Sequence, residues 1–290
     1  MLLLDGERLN ENDGILSPQS DVSNVEGYMD YKTDFSVLIL TCDKYLDLAP
    51  WIKQTCERFF AAGLDCLIAG ECQQFSCGPA ACFLCTQETC FSLRMARALE
   101  QVKSKYVLVL LDDYFVHDEC LLQKADIWLQ TMKRYDLDAL KVSKQLNLYA
   151  KLRKVDLQTK KIKKIEPYTI DFHPTVWKTG ALKTIVNGQP LTAWELEPKL
   201  SRYFKTKLSK AMQSDALIEY DELIVGGKFF RKPFRKYCRQ LYRGDRRVLG
   251  RISSLKYALK SKLLHLCPPW VKKWIKKTFF PKRKFYSDNF

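Results

Sequence analysis

No stretch of 18 uncharged apolar residues occurs in this 290-residue chain, so no transmembrane helix is expected. The opening Met-Leu-Leu-Leu-Asp-Gly-Glu lacks both a basic start and a long apolar centre. That argues against a secretory signal peptide and for a cytoplasmic protein. Histidine is scarce, at three residues. Acidic residues nearly vanish from the last fifth of the chain, where only Asp245 and Asp288 face 20 lysines and arginines after Gly227. Helix-turn-helix, RNA-recognition and zinc-finger signatures are missing, which weakens a nucleic-acid-binding reading.

The net charge of +15 is therefore uneven. Residues 1–227 carry 28 basic against 31 acidic side chains and are close to neutral. The remainder is strongly cationic, an asymmetry that suits an anionic surface as partner. Residues 1–33 are acidic and polar with few apolar positions, as expected of a loosely packed leader. The expected organisation is a leader over 1–33, a globular α/β domain over 34–227 and a basic amphipathic region over 228–290. The chain is long enough to bury a substantial core.

Within the globular part, Tyr106-Val-Leu-Val-Leu-Leu runs directly into Asp112 and Asp113. So short and apolar a run reads as a buried strand of a parallel sheet. Ligands of open α/β sheets bind beyond the carboxyl ends of such strands. Two adjacent acids are costly to hold there unless a positive charge lies between them. A divalent cation, Mn²⁺ or Mg²⁺, carrying a diphosphate would supply it. The structural alternative is that these aspartates cap the following helix.

The same reading predicts strands over 35–40, 66–69, 139–142 and 168–172, and helices over 45–62, 91–102 and 120–134. A helix started by proline is expected over 174–185, a longer amphipathic helix within 191–212, edge strands or a hairpin within 147–165, and a strand within 216–227. The β-α-β-α-β order implies a mostly parallel sheet with right-handed crossovers, flanked by helices.

Several of these pieces resemble, in order, the nucleotide-sugar glycosyltransferases of the GT-A fold, in particular small bacterial enzymes of polysaccharide assembly. They are Thr-Cys-Asp-Lys-Tyr after the first strand, Ser92-Leu-Arg-Met-Ala-Arg-Ala-Leu99, the Asp112-Asp113 segment, His173-Pro-Thr-Val-Trp-Lys178, Ala193-Trp-Glu-Leu-Glu197 and Gly226-Gly-Lys228. The resemblance covers residues 35–235. The family's usual D-x-D is replaced by Asp-Asp, which leaves open which acid touches the metal. The resemblance implies that Asp113 contacts the cation, with Asp112 on the ribose or on a metal-bound water. It places Thr41 and Asp43 at the base and ribose, Arg94 at a phosphate and His173 as a late metal ligand, although a lone histidine is more often structural. It further implies a saccharide or lipid-linked glycan acceptor and inversion at the anomeric carbon.

An acceptor hydroxyl must lose its proton, and Trp194-Glu195-Leu196-Glu197 offers two bases. On a helix Trp194 and Glu197 share a face, so an aromatic platform for the sugar lies beside a carboxylate. Glu197 is thus the first candidate and Glu195 the second. The alternative is a surface ion pair at Glu197 and a core position for Trp194.

Cysteine, by contrast, is abundant, with 11 residues, six of them between Cys66 and Cys90. Cys82 and Cys85 form one C-x2-C, but the second knuckle of a zinc site is missing. Cys72, Cys77, Cys82, Cys85 and Cys90 are therefore expected to be reduced thiols in a loop bordering the donor pocket, with structural zinc as the alternative. The region 255–285 interleaves lysines with Trp270, Trp274 and other apolar residues. It is expected to form two short amphipathic helices that hold the protein peripherally on the cytoplasmic face of a membrane. Helices packed on the catalytic domain are one alternative. A nucleic-acid-binding protein or metal-dependent nuclease, using the basic tail and the paired acids, is another.

Overall fold

The computed structural model describes residues 34–144, 152–165, 169–186 and 188–255. The expected leader, the two tail helices and the start of the 168–172 strand lie outside these residues. The core is a nine-stranded mixed sheet in the order β3-β2-β1-β4-β9-β6-β10-β8-β7. Its parallel half comprises β1 (Phe35–Leu40), β2 (Cys66–Gly70), β3 (Cys82–Cys85) and β4 (Tyr106–Leu111). The other half comprises β6 (Ala139–Lys141), β7 (Leu152–Lys154), β8 (Thr159–Ile162), β9 (Thr175–Lys178) and β10 (Ala211–Ser214). Strand β9 runs antiparallel to both β4 and β6 and joins the two halves.

Both faces of the sheet are covered, which explains the unbroken apolar runs of β1 and β4. Successive residues point to opposite faces. Leu38, Leu40, Val107 and Val109 join the cluster beneath α2 (Phe91–Gln101), α4 (Thr179–Val186) and α5 (Ala193–Lys205). On the other face Phe35 meets Trp128 of α3 (Leu121–Arg134), with ring centres 6.4 Å apart. Helix α1 (Ala49–Ala61) follows a 3₁₀ turn, carries Pro50 in its first turn and ends before Gly63, whose φ of 73° needs no Cβ.

Three local expectations are corrected. Residues 175–178 form a strand rather than a helix, because Thr175, Val176 and Trp177 fill the sheet centre and all three are buried. Tertiary burial there outweighs the helix-starting preference of Pro174. Residues 169–172 are bends, not a strand. The amphipathic helix expected within 191–212 forms over Ala193–Lys205, and Ala211–Ser214 follows as β10. Cys82–Cys85, expected in a loop, is the edge strand β3.

Beyond β4 the chain turns at Asp112-Asp113 into β5 (Tyr114–Val116), which pairs with β11 (Tyr220–Glu222). A hairpin follows, β12 (Ile224–Val225) and β13 (Lys228–Phe229), turning on Gly226 and Gly227 with φ of 56° and 75°. Positive φ at both central residues explains two consecutive glycines. Residues after 227, assigned from the sequence to the basic region, continue to pack on the body as far as Val248. Phe229 is fully buried beside Trp51, Phe234 and Tyr242, and Trp51 Nε1 donates to the Tyr237 carbonyl at 3.3 Å. Among the described residues no helix is long and apolar enough to cross a membrane.

Candidate active site

A cleft of about 670 Å³ opens at the carboxyl ends of β1 and β4. Its floor carries Thr41, Asp112 and Asp113, its far wall Asp171, His173 and Glu222, and its rim Trp194, Glu197 and the Gly226-Gly227 turn. The strand ends position the floor: the Asp112 amide donates to the Leu40 carbonyl at 3.1 Å, continuing the ladder past both strands. The Asp113 carbonyl accepts from Leu223 at 2.8 Å, which ties the floor to the β11–β12 wall.

Burial pushes the Asp112 carboxyl up to about 7, opposed by the Thr41 side chain, the Cys42 amide, Arg94 and Arg246. Burial, Asp112 and Glu222 together hold Asp113 well above the usual carboxylate range. Asp113 Oδ1 is buried and has no hydrogen-bond partner among the described residues. An orphaned acceptor of this kind requires a cation, a proton or water.

The far wall is a charge network that the sequence reading missed. Lys141, 1% exposed, forms a buried ion pair with Asp171. Asp171 Oδ2 lies 3.0 Å from His173 Nδ1, and Glu222 Oε1 lies 3.3 Å from Nε2. Burial works against the Asp171 carboxylate, but Lys141 and His173 outweigh it and hold it at about 2. Burial likewise opposes the imidazolium, yet Asp171 and Glu222 raise His173 to about 9. The ring also stacks on Tyr114 at 5.8 Å. A carboxylate thus faces each nitrogen of the His173 ring, although Nδ1 makes no hydrogen bond among the described residues. A lysine inside the buried run Ala139-Leu-Lys-Val142 was the available signal, since a buried ammonium demands a partner. Nothing local marks Glu222. Lys141→Met strands a buried carboxylate and is expected to lower stability by about 3 kcal/mol in urea unfolding.

Helix α5 presents the remaining acids differently. Glu195 completes a capping box, accepting from the Thr192 amide and hydroxyl at 2.9 Å each. It is a helix cap and does not line the cleft. Glu197 does line it, half-buried, and accepts from the Phe172 amide at 3.3 Å. Burial, aided by Asp171, raises it to about 7. Trp194, expected either in the core or at the sugar, is 69% exposed at the mouth of the cleft.

Arg94 reaches the cleft, but its Nη1 pairs with Glu71 at 2.6 Å, while Nε is buried with no hydrogen-bond partner among the described residues. Asp43 turns away: its Oδ1 accepts from the Cys72 and Gln73 amides at 3.2 and 3.1 Å and pins the loop after β2. The cysteine-rich loop does not line the cleft as expected; it reaches it through the Glu71–Arg94 pair. Its thiols diverge, Cys85 toward the Cys72 carbonyl at 3.3 Å, Cys90 toward the Leu191 carbonyl at 3.2 Å and Cys77 toward Cys56. Contact with Cys66, together with burial, pushes the Cys56 thiol up, and contact with Cys56 does the same for Cys77. Among the described cysteines, exposed Cys72, Cys82 and Cys120 are expected to alkylate first, with Cys56 and Cys77 protected until unfolding. Mass spectrometry of iodoacetamide-treated protein checks this order.

Among the described residues no three His, Cys, Asp or Glu side chains form a group that could hold a metal alone. Mg²⁺-type ions usually need only one or two carboxylates, the rest coming from phosphate and water. Asp113, with its orphaned Oδ1, fits that requirement.

The parallel half-sheet, the helices on its faces and the antiparallel β9 define a Rossmann-like α/β fold. No protein-family model matches the chain, and no curated protein matches it. Among solved structures it is similar to S. aureus TarS 1–349, with 14% identity and a TM-score of 0.45 over 65% of this chain and 60% of that one. It is also similar to the UDP-glucose pyrophosphorylase of Acinetobacter baumanii, with 8% identity and a TM-score of 0.46 over 66% and 88%. A CMP:2-keto-3-deoxy-manno-octonic acid synthetase complexed with CTP matches at 12% identity and a TM-score of 0.40, over 62% and 89%. The chain thus spans less than two thirds of the TarS fragment.

Proposed function

We propose that this protein is a glycosyltransferase that moves a sugar from a nucleoside-diphosphate donor to a saccharide acceptor, with inversion. The observation that carries the reading is the placement of Glu197, raised to about 7, in one cleft with an Asp113 whose buried Oδ1 lacks a partner. One group is poised to take a proton near neutrality and the other to hold a cation. General-base catalysis works best when the base titrates near the working pH.

The charge balance supports the same assignment. Asp112, Asp113, Asp171, Glu197 and Glu222 line this cleft with His173 and an Arg94 already paired with Glu71, while Lys141 is buried against Asp171. Carboxyl groups outnumber cationic side chains here, and burial makes Asp112 and Asp113 ionise readily only beside a positive charge. A bound divalent cation would neutralise the charge that develops on the leaving diphosphate. The chain's own residues do the rest. Asp113, with Asp112 behind it, holds the cation. Trp194 offers an apolar face to the sugar, and Glu197 takes the acceptor hydroxyl proton as the new glycosidic bond forms and the bond to the diphosphate breaks. His173 keeps positive charge in the wall between Asp171 and Glu222.

Thermal melting with UDP, GDP or CMP, with and without Mn²⁺, tests the reading. One nucleotide is expected to raise the melting temperature only when the cation is present. If none does, there is no nucleotide site here and the proposal fails. Product NMR reports the stereochemistry, and a retained anomer would remove Glu197 from its role.

A further inference from the structure

A second surface lies outside the cleft. Residues 231–238 form a short helical segment of two kinds of turn, α then π, placed directly after the β12–β13 hairpin. It carries Arg231, Lys232, Arg235 and Lys236, with Arg239 immediately beyond. Two adjacent concavities, of about 300 and 500 Å³, share Arg231 and Arg235 in their walls. Arg239 lines the smaller, Lys232 and Lys236 the larger. Lys236 lies over the Tyr237 ring at 4.6 Å. Arg231, Lys232, Arg235 and Arg239 have no carboxylate partner among the described residues. Such crowding of like charge is unfavourable unless anions answer it.

Three large apolar side chains stand exposed in the same stretch: Leu241 at 57%, Ile252 at 71% and Leu255 at 64%. Cations interleaved with exposed apolar side chains match the interface of an anionic bilayer, where phosphates meet acyl chains. The segment is also clamped to the rim of the cleft. Arg246 pairs with Asp47 at 2.6 Å, donates to the Lys44 carbonyl at 2.9 Å and to the Gly227 carbonyl at 3.4 Å, and covers the Tyr45 ring at 4.5 Å. Tyr45 and Gly227 themselves line the cleft.

We infer that residues 231–255 form a folded docking surface for an anionic phospholipid bilayer, rigidly joined to the cleft through Arg246. If the transfer reading holds, this surface presents the cleft to acceptors carried on lipid. The docking itself does not depend on that reading.

Full-length protein is sedimented with phosphatidylcholine vesicles with and without phosphatidylglycerol. Binding is expected only to the anionic vesicles and is expected to weaken as salt rises. A variant carrying R231E, R235E and R239E is expected to lose on the order of 100-fold in partitioning, at roughly 1 kcal/mol per cation removed. Lysine at the same three positions is expected to bind like the parent. Ile252→Ser with Leu255→Ser, both well exposed and no threat to the fold, is expected to weaken binding as well. The chain beyond 255 stays in every protein, so its lysines are a constant background. A nucleotide-dependent melting shift that survives in each variant shows an intact cleft and separates failure of docking from failure of the transfer reading. The inference is overturned if the triple reversal binds vesicles like the parent, or if the protein retards RNA or DNA in gels and ignores vesicles.

Discussion

Glu197→Gln is expected to lower the transfer rate ~10²–10⁴-fold, the range typical of losing a positioned base, while cation-dependent nucleotide stabilisation persists. The amide is nearly isosteric and its oxygen can still accept from the Phe172 amide, so the local fold has no reason to move. What is lost is the ability to take a proton. In the parent protein the proposed base must be ionised, so kcat/KM should rise with pH through about 7 and flatten above it. The variant should show neither the activity nor that limb of the profile. Stability moves oppositely. The folded-state value lies above the ordinary 4.5, so protonated Glu197 favours the folded state below that value, and the contribution disappears as pH rises through about 7. Above that range the Gln variant should therefore melt a few degrees higher than the parent. A variant that keeps full activity would move the base elsewhere.

Asp113→Asn is expected to remove the Mn²⁺-dependent part of the nucleotide stabilisation and to reduce turnover by about 10²–10³-fold, as losing a major electrostatic contact does. The unliganded protein should become more stable, because Asp113 is crowded by Asp112 and Glu222 and its Oδ1 finds no donor. Loss of ligand response together with a gain in unliganded stability is the signature of a charge kept for binding and not for folding. Melting curves with and without nucleotide and cation read both effects at once. If the Mn²⁺-dependent shift survives in Asp113→Asn, the cation is held by another group. The same measurement on Asp112→Asn then decides between the adjacent acids.

Much of this site was legible residue by residue. Asp112 and Asp113 sit at the end of β4 because five apolar residues before them leave the chain no other reading than a buried strand. Glu197 and Trp194 share the cleft because α5 forms as its pattern and the Thr192 cap dictate. Glu195, two residues away, could not be told from Glu197 by composition. Its use as a cap becomes visible only once Thr192 is seen to be the first half of a capping box. Asp43 is absent from the cleft lining for a similar reason: its Oδ1 accepts from two backbone amides of a loop some 30 residues later. Pro174 misled because a helix-starting preference is weak beside the burial of Trp177 between β4 and β6.

Local sequence, then, determined β1, β2 and β4 of the parallel half, the helices that follow them and the acids at its carboxyl edge, because apolar periodicity and strand-end chemistry act over a few residues. Tertiary structure alone decided which charges meet. Lys141, Asp171, His173 and Glu222 come from β6, a bend and β11, and their pairing depends on β9 running antiparallel between β4 and β6. Burial and distance set their protonation, and neither is written in a linear order of residues. The same holds for the basic segment beyond Gly227: its charge is plain in the sequence, but its attachment to the rim of the cleft exists only through Arg246, which meets Asp47 across 199 positions of chain.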